Sequence, residues 1–200
     1  AAPAGDLAEK IRLFAEKTYH AKIKTNVTPE QIAKVRAMQF KVADDKLAEG
    51  DYEGAIKEYY IVLAANPECD ESIRAIENLA TAYLDQIVRL REDEKAKRTD
   101  LRLDADAVEG YLAERFADYP DRAMMTEAGN AVLRLAAKEK SYGDGARAAN
   151  LYKMFVVNYR KHVQAPVTAS TMAYEAQKAG KLREAIDYYN VIDSYYTNST

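Results

Sequence analysis

One spacing recurs along this chain and leaves few folds open to it. In GDYEGAIKEYYIVLAANP, Gly50 stands five residues before Ala55, Tyr59 four after it and Pro67 twelve after it. In GKLREAIDYYNVIDSYYT, Gly180 stands five before Ala185 and Tyr189 four after. SYGDGARAANLYKMFVVNYR repeats the offsets with Gly143, Ala148 and Tyr152, and DADAVEGYLAERFADYP gives a degenerate copy with Ala107, Tyr111 and a displaced Pro120. The anchoring alanines Ala55, Ala107, Ala148 and Ala185 are 52, 41 and 37 residues apart. A local pattern that returns at such intervals predicts stacked copies of one supersecondary unit.

Each residue type in the pattern has a physical reason. The alanine lets two helices approach closely, and the aromatic one turn later fills the space beside it. The glycine accepts a left-handed turn that other residues resist. Tyr52, Ala55, Ile56, Tyr59, Val62 and Leu63 recur at intervals of three and four, which predicts a helix stopped by Asn66-Pro67. Before Gly50, Thr28-Pro29-Glu30 reads as a helix start, and Ile32, Val35, Phe40, Val42 and Leu47 fall near helical spacing. First helices of further hairpins are predicted at about 70–92, 122–140 and 166–179. Eight glycines and five prolines in 200 residues, 30% of them charged, agree with helix nearly throughout.

The pattern Gly50-x-Tyr52-x-x-Ala55-x-x-x-Tyr59-x-x-x-Leu63-x-x-x-Pro67 resembles the second half of a tetratricopeptide repeat. The resemblance covers about four units, from near residue 28 to the end, and is strongest in the first. The first helices lack the family's large-residue and Leu-Gly signature. The resemblance implies an all-α, right-handed solenoid of about four hairpins, at about 28–67, 70–120, 122–161 and 165–197. Residues 1–27 would be an N-terminal extension in which 6–22 form a capping helix, with Leu7, Ile11, Leu13 and Phe14 on its apolar side. ERFADYP is also similar to the helix ends of bacterial envelope tetratricopeptide proteins. The charged run Arg91–Asp104 breaks the period and reads as a solvated helix end and loop, with a docking element as the alternative, and Asp104 and Asp106 read as cap and first-turn charges of the next helix.

Catalysis needs converging groups, and the sequence offers none. His20 and His162 stand far apart, no HExxH spacing exists, and SYGDGA is too short for a phosphate-binding loop. Asp104 and Asp106 lack the glycine and closing glutamate of a calcium loop. Cys69 is the single cysteine, which excludes an internal disulfide framework. No metal, cofactor or enzymatic activity is expected. A formal charge of −3 gives no basic footprint for nucleic acid, and no apolar run reaches a membrane-spanning length. The small residues of AAPAGD resemble a cleaved secretory start, which favours an extracytoplasmic location, periplasmic or secreted, over a cytoplasmic one.

What remains is recognition of a protein partner, with self-association as the alternative. In the family, first helices line a concave groove. By resemblance its positions here are Phe40, Asp44 and Leu47, then Asn130, Leu133, Ala137 and Lys140, then Ser170, Tyr174 and Gln177. Asn130 and Lys140 alone do not rebuild the family's carboxylate clamp, so chaperone-tail binding is not expected. The tyrosine pairs Tyr188-Tyr189 and Tyr195-Tyr196 lie seven residues apart. One member of each pair suits the core and the other faces outward or toward a further repeat, and Tyr195 and Tyr196 are the candidate interface residues.

Overall fold

The computed structural model describes residues 28–69, 71–91 and 93–197. Among these residues the chain is all-α: α1 (Pro29–Glu49), α2 (Tyr52–Ala65), α3 (Ser72–Arg89), α4 (Lys95–Arg115), α5 (Arg122–Ser141), α6 (Gly145–Asn158), α7 (Ala165–Lys178) and α8 (Leu182–Thr197). The expected capping helix at 6–22 and the histidine at position 20 lie outside the described residues. The chain divides into two compact units, Ala1–Leu112 and Ala113–Thr200, with the boundary inside α4.

In the first unit, α1 begins at a capping box. The Thr28 hydroxyl accepts the Gln31 amide hydrogen, and the Gln31 side chain accepts that of Thr28. The helix ends at Gly50, whose φ of 79° is left-handed. Asp51 then caps α2 by accepting the Gly54 amide hydrogen, and Asn66 closes that helix before Pro67. α1 packs on α2, α2 on α3, and α1 also touches α3. Ala43 and Ala55 are fully buried, and Tyr59, Val62, Leu63, Ile73, Ile76, Leu79 and Leu84 fill the space around them. The buried face of α1 runs through Phe40 and Ala43, whereas Val35 and Val42, which share the apolar spacing, are exposed beside Met38. Residues 40 and 43 fall on one side of a 3.6-residue helix and 35, 38 and 42 on another.

The charged run is not a loop. From Lys95 onward it is helical, so Asp104 and Asp106 sit in the middle of α4 instead of capping it. Lys, Ala, Arg, Leu and Glu are strong helix formers, and no proline or glycine interrupts them before Gly110. Lys97 reaches back to Glu53 at 3.1 Å, and Arg98 donates to the Leu90 carbonyl at 2.7 Å.

In the second unit, Asp121 caps α5 through the amide hydrogens of Ala123 and Met124, and Asp144 caps α6 through that of Arg147. α5 packs on α6, α6 on α7, and α7 on α8. Gly143 and Gly180 turn these helix pairs at φ of 88° and 74°; with Gly50 they are the described glycines of positive φ. The core is built from Ala128, Val132, Leu135, Leu151, Phe155, Tyr159, Ala169, Ala173 and Ala185. In α8 the buried ring is Tyr188, and Tyr189, which holds the register of Tyr59, is exposed. One position is 100° on a helix, so the shift moves the second ring out of the core.

Candidate interaction surface

The groove positions named by resemblance separate into two groups. In the first unit they are absorbed by the fold. Phe40 is 6% exposed and belongs to the core, so it offers a partner no free ring. Asp44 is a junction of three helices. Its carboxylate accepts the Tyr59 hydroxyl of α2 at 2.6 Å and the Asn78 amide of α3 at 2.9 Å, and pairs with Arg74 of α3 at 2.6 Å. Burial, then the Asp44 bond, pushes the Tyr59 phenol far above its ordinary range, so it stays a neutral donor. Leu47 is half-buried.

In the second unit the positions remain on the surface. Asn130 and Leu133 of α5 are half-buried, and Ala137 and Lys140 are exposed. Lys140 comes within 4.0 Å of Glu175 on α7, a separation at which two exposed charges contribute little. Ser170, Tyr174 and Gln177 all face solvent on α7, and Gln177 accepts the Tyr189 hydroxyl of α8 at 3.2 Å. The side chains of Tyr195 and Tyr196 lie outside the described residues.

Sequence reasoning missed Val167, which joins Tyr174 on the α7 face, and Val163, which is exposed in the turn before it. Val163 is 82% exposed, Val167 69% and Tyr174 62%. Val167 precedes Tyr174 by seven residues, two turns, which places the two on one ridge of α7, and Val163 lies in the turn just before the helix. Ala165, Ala169, Met172, Ala173 and Ala176 form the buried side of the same helix. The spacing Val167, Ser170, Tyr174 was the available signal. α8 adds a second exposed stripe, Leu182, Ile186 and Tyr189, at intervals of four and three.

Elsewhere the chemistry is unremarkable. A cleft of about 500 Å³ in the second unit is lined by charges of both signs, Glu114 and Asp118 against Arg160 and Lys161. Ala117 and Val157 add apolar surface between these charges. Burial pushes the Cys69 thiol up, away from the reactive thiolate form, and its sulfur lies 3.1 Å from the Ser72 hydroxyl. Among the described residues, no group of three or more His, Cys, Asp or Glu is placed to hold a metal ion. No described helix is long and apolar enough to cross a membrane. Comparison with protein-family models, with curated proteins and with solved structures finds no match to this chain.

Proposed function

We propose that this chain is a right-handed solenoid of four tetratricopeptide-like hairpins and works as a non-catalytic scaffold, holding a protein partner against the outward face of α7. The exposed ridge of Val167 and Tyr174, with Val163 exposed in the turn before it, carries this reading. Two large apolar side chains of α7 stand in water opposite a helix face made of alanines and one methionine. Exposed apolar groups gathered on one ridge, flanked by Ser170 and Gln177, have the composition of an interface core with a polar rim. The ridge is borne on a packed helix, so little ordering cost opposes association. α1 also exposes Val35, Met38 and Val42.

A photocrosslinking residue placed at Ser170, and another at Val88 on α3 as an exposed control, tests the proposal in cells that express the chain. A discrete adduct from position 170 that is absent from position 88 is expected. Equal crosslinking from both positions would remove α7 as the recognition surface. The stripe Leu182, Ile186 and Tyr189 favours a second reading, self-assembly. An adduct of twice the 22.4 kDa chain mass would identify the partner as another copy.

A further inference from the structure

We infer that His162 is an acid-released clasp that ties the α7–α8 hairpin to α5. The imidazole is 3% exposed and lies where α5, α6 and α7 meet. Its Nε2 is 3.2 Å from the Thr126 carbonyl oxygen in the first turn of α5. Its Nδ1 accepts the backbone amide hydrogen of Gln164, the residue before α7, at 3.2 Å. A carbonyl can only accept and an amide N–H can only donate. The two contacts therefore assign the neutral tautomer with its hydrogen on Nε2.

The site leaves no room for the charged form. Phe155 meets the ring edge-on at 5.1 Å, and Gly129 of α5 approaches so closely that a Cβ there would lie 2.8 Å from the imidazole carbon. The groups facing the ring are the Thr126 carbonyl and Gly129 from α5, Phe155 and the Tyr159 ring from α6, and the Gln164 amide from the start of α7. Tyr159 is itself held neutral by burial. Among the described residues, no carboxylate pairs with the imidazole to welcome a second proton. Protonating Nδ1 would set one N–H against another in a buried site. Burial accordingly holds the imidazole below its ordinary 6.5, and the Thr126 carbonyl offsets this only in part.

The sign follows from linkage. Neutral His162 is the packed form, so its stabilisation is complete above the ordinary histidine range. It is lost as pH falls through 6.5 toward the lower packed value. The ring then leaves its site, and α7 loses its tie to α5. The α5–α6 pair keeps Val132, Leu135 and Leu151, so the opening is local. None of this depends on the partner reading.

Hydrogen exchange on the full chain at about pH 7.5 and about pH 5.5, corrected for intrinsic rates, tests the clasp. Protection of Ala165–Lys178 is expected to fall at the lower pH, by no more than about tenfold for one histidine at a pH about a unit below its ordinary value, with α5 and the first unit unchanged. His162→Phe keeps a ring that cannot titrate, so its protection, whatever its level, should lose that pH dependence. Imidazole resonances give a second readout that needs no variant: His162 should titrate below 6.5. Protection that is flat with pH, an equal fall in His162→Phe, or titration at or above 6.5 would each overturn the clasp.

Discussion

The hairpin α1–α2 and the hairpin α7–α8 share one template and present opposite surfaces. Each is a helix pair turned at a left-handed glycine, Gly50 or Gly180, with a buried alanine and a buried tyrosine one turn on: Ala55 with Tyr59, Ala185 with Tyr188. In α1–α2 the polar groups are spent on the next helices. Asp44 binds Tyr59, Asn78 and Arg74, Glu53 receives Gln86 and Lys97, and Arg89 lies 4.5 Å over the Tyr52 ring. In α7–α8 the Tyr189 hydroxyl donates to Gln177 across the pair, and the outward ridge of α7 carries Val167 and Tyr174. The backbone pattern is therefore silent about exposure. Which side chains stand one or two positions off the core face decides whether a hairpin is sealed or available.

The comparison can be broken most forcefully in the sealed hairpin. Tyr59→Ala removes a fully buried ring and leaves Asp44 short of a donor, so a loss of about 3–5 kcal/mol is expected in urea denaturation. A loss below about 1 kcal/mol would mean that α1–α2 is not held as described. Asp44→Ala strands the buried Tyr59 hydroxyl, with an expected cost of about 1–3 kcal/mol. Its pair with the exposed Arg74 adds little to that figure. Stability equal to the parent would show that the three-helix junction is incidental.

The turns sharpen the same contrast. Gly50→Ala forces a left-handed alanine, at about 1–2 kcal/mol, and pushes a methyl to 3.1 Å from the Arg89 guanidinium. Displacing Arg89 from Tyr52 forfeits about 0.5–1 kcal/mol more. Gly180→Ala meets nothing within 4 Å, so only the backbone term applies. Thermal melts should rank Gly50→Ala below Gly180→Ala, and the reverse order would contradict the covered turn. The smallest effect belongs to the open face. Tyr174→Ala should leave the melting temperature within the range of about ±0.5 kcal/mol that marks an uninvolved surface residue.

Much of the helix placement was legible because its signals are local. Thr28-Pro29 starts α1, Asn66-Pro67 stops α2, and Gly50, Gly143 and Gly180 mark the turns whose φ values require glycine. The charged stretch misled because solvated loops and exposed helices share a composition. Only the missing breaker between Lys95 and Gly110 told them apart. Register within a helix was harder: Tyr188 and Tyr189 have the same side chain, and their fates differ by 100° set by tertiary packing. The role of His162 was invisible because its partners are backbone groups, the Thr126 carbonyl and the Gln164 amide, and neither depends on residue type.

One paired measurement bears on the contrast directly. A photocrosslinking residue at Ser170 reports partner capture, and urea denaturation reports stability, for Asp44→Ala and for the double variant Val167→Ser, Tyr174→Ala. Asp44→Ala should lower the unfolding midpoint and leave the crosslinked yield of the folded chain unchanged, whereas the double variant should hold the midpoint and lose most of the adduct. An adduct that survives the double variant and disappears with Asp44→Ala would move recognition to the first hairpin and contradict the account.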